Sequence, residues 1–249
     1  MVTDFTEIDI NCDVGEGLDN EGQLMPLISS CNIACGGHAG DRASMTKVIG
    51  LAKQNHVRIG AHPSYPDKEN FGRVSIPISD TKLIESIERQ INDLKHIAEE
   101  EKVQIHHIKA HGALYNDMAK SESLSKVFLE AVKAFRSETF LYVPYASAIA
   151  KIALQKNFKL RYEAFADRNY NEDLSLVPRN KNEALIHSPE QVLEHILGML
   201  AHNRVRTIEG RFVKILADTF CIHGDNILAF EIVSYLTKAL PDHNIHIKK

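Results

Sequence analysis

The chain has 249 residues, of which 44% are hydrophobic and 25% charged, and a formal net charge of -4. That composition fits a globular protein with a large core, and the absence of a broad basic field argues against nucleic acid as a partner. No apolar run is long enough to span a bilayer, and the amino terminus lacks the basic and apolar regions of a leader, so a cytoplasmic location with no membrane partner is expected.

Strand-like and helix-like stretches alternate along the chain. The first strand, residues 7–11, leads through a glycine-containing turn to a short helix near 23–28. A second strand at 31–34 precedes a helix over 42–54, where Met45, Val48, Ile49 and Ala52 share one face and Asp41 is placed to cap it. A third strand at 57–61 runs into a loop rich in proline and glycine that reaches Pro77. The helix over 80–100 carries Ile84, Ile87, Ile91, Leu94 and Ala98 on one stripe.

Strand four is expected at 105–109 and its helix at 123–135; strand five at 139–143 is followed by a helix at 147–155. Strand six, 159–164, opens into an irregular segment extending to His187. Ser188-Pro189-Glu190-Gln191 then reads as a helix start, with serine as N-cap, proline at the first position and glutamine closing a capping box. Glu209-Gly210 interrupts residues 205–215 and predicts a hairpin before the last strand, 219–222, and the last helix, 227–239. Regular β-then-α alternation argues for a parallel sheet. Polar residues follow nearly every strand, whereas an open sheet usually places them at one switch point, so a closed α/β barrel of seven strands in a single domain spanning 1–249 is expected.

Cys12, Cys31, Cys35 and Cys221 mostly lie in or beside apolar runs, and no second cysteine pair completes a zinc cluster. Free buried thiols are the expectation. The chain has no phosphate-binding Gly-x-x-x-x-Gly-Lys loop, no His-Glu-x-x-His helix and no Gly-x-Ser-x-Gly elbow. Gly15-Glu16-Gly17 begins like a dinucleotide fingerprint, but Asn20 stands where the third glycine belongs, and Glu16 would repel a pyrophosphate.

A strand buried on both faces is almost wholly apolar, so Asp, His or Lys at its carboxyl end requires a reason. Asn11, Asp13 and Glu16 follow strand one; the same residues also suit a turn through side-chain to backbone bonds. His38 follows a flexible Gly36-Gly37 turn. His62 precedes a loop holding Phe71 and Arg73, which is expected to wall the site. Lys109 and His111 alternate to the same face, while His106 and His107 read as packing in the barrel interior. Asp167, Arg168 and Arg179 share one long loop, and guanidinium pairs suit a small anionic substrate. His223 ends strand seven, and Asp225 is placed to cap the helix after it.

The runs IDINCDVGEG, NIACGGHAGD, IGAHPSYPDKENFGR, IKAHGALYND, EAFADRNY with LVPR, and CIHGD resemble those of the A-type subunits of 5-oxoprolinase, also called the lactam-utilisation or LamB/YcsF family. The resemblance implies a distorted seven-stranded β/α barrel of the glycoside hydrolase/deacetylase kind. It further implies an ATP-dependent opening of 5-oxoproline to L-glutamate, with ATP and Mg2+ as co-substrate and two partner subunits of B and C type. Departures are Ala110 in place of a usual proline, Val74 for a second arginine, a shorter loop after Gly17, and Leu174 where glycine is common.

On this likeness Asp13, His38, His62, Lys109, His111 and His223 are expected to be catalytic. Asp13 or His62 would act as base, Lys109 with His111 as charge stabiliser and His223 as proton donor to the leaving nitrogen. Asn11, Glu16, Arg73, Tyr115, Asp167, Arg168, Arg179 and Asp225 are expected to bind substrate. The alternatives are a metal-dependent deacetylase or amidohydrolase acting alone, with Asp13, His38 and His62 as ligands, and a non-catalytic lactam-binding subunit.

Overall fold

The computed structural model describes residues 6–249; residues 1–5, on which the reading of the amino terminus partly rests, lie outside them. The barrel strands are β2 (Ile10–Val14), β3 (Ser30–Ala34), β4 (Arg58–His62), β5 (Ile105–Ile108), β6 (Phe140–Pro144), β7 (Lys159–Phe165) and β10 (Thr219–Ile222). They close a barrel in the order β10-β2-β3-β4-β5-β6-β7, every neighbouring pair parallel. The expected closed barrel of seven strands is therefore found.

Parallel strands need crossovers, and the helices supply them while burying one face each. In α2 (Arg42–Gln54) the predicted face is buried, and Asp41 forms a reciprocal capping box with Ser44. In α3 (Asp80–Glu100) the stripe is Leu83, Ile87, Ile91, Leu94 and Ala98, with Ile84 half-buried at its edge. Each fully buried leucine or isoleucine on these faces contributes about 1.5–3 kcal/mol by leaving water.

Several local expectations need correction. The first strand divides: β1 (Thr6–Ile8) pairs with β11 (Ile245–Ile247), and β2 continues through Asp13, whose inward carboxylate finds partners inside the barrel. The segment after strand four holds α4 (Gly112–Lys120), whose glycine start resembles a turn in sequence. Ser188 accepts from the Gln191 N–H, as expected, and its hydroxyl donates to Glu190, but the Gln191 side chain does not return a bond to the Ser188 N–H, so the capping box is not completed. Asp225 does not cap the last helix, α8 (Ala229–Ala239), whose N-cap is Leu228; its carboxylate is taken by arginines instead.

The remaining elements are α1 (Glu21–Leu24), α5 (Glu122–Ala131), α6 (Ala148–Gln155) and α7 (Pro189–His202), with the predicted hairpin formed by β8 (Arg204–Arg206) and β9 (Phe212–Lys214). All four cysteines are buried and free. Leu174, where the resembling family commonly has glycine, adopts a left-handed φ of 63°. Among the described residues no helix is long and apolar enough to cross a membrane.

Candidate active site

The barrel lumen is polar, which is unusual for a core and has to be satisfied bond by bond. At the amino-terminal end of the strands, Asp9 Oδ1 accepts from Ser30 Oγ (2.9 Å) and Thr219 Oγ1 (2.6 Å), and its Oδ2 from Arg58 (2.7 Å). One layer higher, the Asn32 amide donates to Asn11 Oδ1 and Asp13 Oδ1, both at 2.7 Å. Its own Oδ1 can only accept, so His107 Nε2–H is the donor at 2.7 Å. His107 stacks on Tyr142, ring centroids 3.9 Å apart, and its pKa is driven well down by burial, with His106 adding to the effect. His107 is interior, as expected, while His106 is half-buried and packs against Phe140.

The third layer is where the carboxyl ends of the strands meet. Lys109 Nζ is buried and lies 2.9 Å from Asp13 Oδ1, 2.9 Å from Glu163 Oε1 and 3.1 Å from Cys221 Sγ. Burial opposes the ammonium charge, but Asp13, together with Cys221 and Glu163, holds its pKa well above the usual lysine value. Lys109 is thus a fixed cation. Burial also pushes the Asp13 carboxyl up, yet His62 and Lys109 hold it well below the carboxylate range, so it stays ionised. Its contacts with Lys109, Asn32 and His62 Nε2 (3.4 Å) all fall on Oδ1.

Three imidazoles and one carboxylate stand beside Asp13. His62 Nδ1–H donates to the Lys109 carbonyl (2.8 Å), and His111 Nε2–H to the Phe71 carbonyl (3.0 Å). His62 Nε2 and His111 Nδ1 then face each other at 3.0 Å. His38 stacks flat on His111, centroids 3.6 Å apart, and Glu16 Oε1 lies 2.9 Å from His38 Nε2 and 3.4 Å from His111 Nδ1. Burial takes the His38 pKa down to about 2, while burial and the Asp13 charge push Glu16 up to about 7. Burial, with His62 and His38 beyond it, likewise lowers His111. The ligand-type atoms of Glu16, His38, His62 and His111 lie within 4.8 Å of one another, a spacing able to hold a metal ion.

Glycines let these parts close up. A Cβ on Gly112 would lie 2.5 Å from the Gly72 carbonyl, and one on Gly72 would lie 2.9 Å from His38 Cβ. Both have positive φ. The loop before α3 is thereby pressed against the start of α4, with Phe71 itself held at φ 55° to aim its carbonyl at His111. Backbone strain kept at such a place is typical of sites that must be pre-organised.

A cavity of about 390 Å³ opens over this layer, within the size range of small-molecule sites. Of the residues expected from sequence, Asp13, His62, Arg73, Lys109, His111, Tyr115, Arg168, Arg179 and His223 line it. The others sit behind the wall. Asn11 braces Asn32, Glu16 and His38 back His111, and Asp225 takes Arg73 and, at 3.5 Å, Arg179. Asp167 accepts from His223 Nδ1–H at 2.9 Å and from its backbone N–H, so it orients His223 from beneath. Arg168 donates to the Val177 and Ala184 carbonyls, tying down the long loop, and burial with Arg179 nearby takes its pKa down to about 10.

Sequence reasoning passed over Asn32 and Glu163. Both carried a signal, a polar residue within a short apolar strand, but their polar neighbours at the strand ends drew the attention. Lys120 and Phe165 also line the cavity without having been singled out.

The chain is similar to known proteins over nearly its whole length. The LamB/YcsF family pattern matches residues 8–249. A protein of Pyrococcus abyssi (strain GE5 / Orsay) named as the A-type subunit of 5-oxoprolinase is 40% identical over 247 residues, 96% of either chain. A protein of the same name from Haemophilus influenzae (strain PittEE) is 38% identical over 241 residues, covering 97% of this chain and 98% of that one. The crystal structure of a lactam utilization protein from Thermus thermophilus superposes with a TM-score of 0.90 at 30% identity, covering 98% and 99% of the two chains.

Proposed function

The chain belongs to the LamB/YcsF family, and on that premise we propose that it is one component of an ATP-dependent 5-oxoprolinase that hydrolyses 5-oxoproline to L-glutamate. The observation that carries this reading is the convergence of Asp13, Lys109, His62 and His223 on one cavity whose wall also holds Arg73, Arg168 and Arg179. A five-membered lactam is an unreactive amide, and its substrate form here carries a carboxylate. The arginines suit that carboxylate; the acid, lysine and imidazoles suit attack on the ring.

The chain has no recognisable nucleotide loop, so phosphorylation of the lactam oxygen by ATP and Mg2+ is assigned to two partner subunits of B and C type. Water then adds to the activated carbon as Asp13, kept ionised by His62 and Lys109, takes its proton. Lys109 lines the cavity as the cation available to the negative charge that develops there; one such donor is worth about 3–4 kcal/mol in other enzymes. When the ring C–N bond breaks, its electron pair goes to nitrogen, and His223, oriented through Nδ1 by Asp167, delivers a proton from its other nitrogen; a second water then hydrolyses the acyl phosphate left at the former ring carbon, releasing inorganic phosphate and L-glutamate.

The test is to incubate the protein with ATP, Mg2+ and 5-oxoproline, with and without candidate B- and C-type subunits. Glutamate that appears only in the complete mixture supports the reading. The Glu16, His38, His62 and His111 group favours a second reading, a metal-dependent amidohydrolase acting alone, and glutamate formed without ATP or partners would establish that one instead.

A further inference from the structure

We propose that Glu16, His38, His62 and His111 form a binding site for one divalent first-row transition ion, of the zinc, cobalt or iron(II) class, set into the wall of the cavity beside Asp13. The ligand set differs from the Asp13, His38 and His62 expected from sequence. Asp13 Oδ1 is already engaged by Lys109 and Asn32, whereas Glu16 and His111 complete a compact group with the other two histidines.

The direction of the N–H groups carries the inference. His62 Nδ1–H and His111 Nε2–H both point outward to backbone carbonyls, those of Lys109 and Phe71. In the neutral form of both rings, which is the form that binds a metal, each imidazole has one N–H, and His62 Nε2 and His111 Nδ1 turn two lone pairs toward each other at 3.0 Å. Two lone pairs at that distance repel unless something positive lies against them. Holding the far N–H on a backbone carbonyl is also the usual arrangement around metal-bound histidine, since it fixes ring orientation and raises ligand basicity.

Further donors meet the same point. Glu16 Oε1 approaches both His38 Nε2 and His111 Nδ1, and the stacked His38 and His111 rings bring their edges to that one oxygen. His38 Nδ1 is a buried nitrogen without a hydrogen-bond partner among the described residues. Three imidazoles and a carboxylate match the ligand chemistry of zinc and its neighbours rather than of magnesium or calcium. His62 and His111 also line the cavity, so an ion there is open to a water or a substrate oxygen on that side. The inference concerns ligands only and stands whatever the substrate.

The competing occupant is a proton shared between His62 and His111. Metal binding would displace it, so proton release accompanies metal uptake. The experiment uses the tag-free full-length chain stripped with chelator. It is titrated with Zn2+ by calorimetry in buffers of different ionisation enthalpy, and with Co2+ by visible absorption. We expect one ion per chain, released protons, and intense Co2+ bands of low coordination number. The His38→Gln and His111→Gln variants should bind tenfold or more weakly, while His96→Gln, on an exposed helix face, should bind as wild type. If a ligand variant does not fold, X-ray absorption on the Co2+-loaded wild type decides: several imidazole nitrogens support the site, and an all-oxygen shell overturns it. Absence of stoichiometric binding, or binding indifferent to His38→Gln and His111→Gln, also overturns it.

Discussion

At the amino-terminal end of the barrel, the Asp9 carboxylate accepts from Arg58, Ser30 and Thr219, so both its oxygens are engaged by neighbouring side chains. At the carboxyl-terminal rim, Asp13, Lys109, His62 and His111 are likewise buried and polar, yet they border a cavity, and His62 Nε2 and His111 Nδ1 face each other at 3.0 Å. The two ends share one lumen and are joined through Asn11, Asn32 and His107. The difference teaches that polarity inside a barrel does not by itself mark function. What marks it is polar capacity left open toward a space that a substrate can enter.

The sharpest way to break this comparison is to remove the charge at its centre. Lys109→Met leaves Asp13 and Glu163 buried without their cation, and is expected to cost about 3–5 kcal/mol in denaturant unfolding as well as nearly all turnover. Asp13→Asn keeps the shape but removes the proposed base, and should lower kcat by about 10²–10⁴-fold in a glutamate-release assay while the fold survives. Retained turnover in either variant would remove the rim from the chemistry.

Asp167→Asn tests how His223 is held. Burial pushes the Asp167 carboxyl up, but His223 and its hydrogen bonds bring its pKa below the usual value. A depressed carboxyl adds stability above its unfolded pKa, about 3.9, and loses it as pH falls through the folded value. The variant should therefore be about 1.5–3 kcal/mol less stable near pH 7, with the gap to wild type closing in acid, and its kcat should drop. At the mouth, Arg179→Ala is expected to raise KM about tenfold, the loss of roughly 1.4 kcal/mol of carboxylate binding, with little change in kcat. The smallest effect on turnover is expected from Arg58→Met at the opposite end. It leaves Asp9 with two hydroxyl donors and should cost about 1–3 kcal/mol of stability with kcat unchanged.

The barrel was legible because short, largely apolar strands that end in polar residues alternate with helices whose apolar faces recur at helical spacing. What stayed hidden was short or non-local. The helix Gly112–Lys120 begins on a glycine whose purpose is visible only against Gly72, far away in the chain. Asp225 looked like a cap because an aspartate before a helix usually is one, whereas Arg73 reaches it across the barrel mouth. Membership of the rim could be read from strand ends. Which residues face the cavity and which stand behind could not, since Glu16, His38 and Asp167 are placed by contacts with His111 and His223 rather than by their own strands.

The most direct measurement sets the two ends against each other in the proposed reaction. Glutamate released from 5-oxoproline with ATP, Mg2+ and the partner subunits should match wild type for Arg58→Met and fall to background for Asp13→Asn. Equal glutamate release by Asp13→Asn and wild type would contradict a catalytic rim.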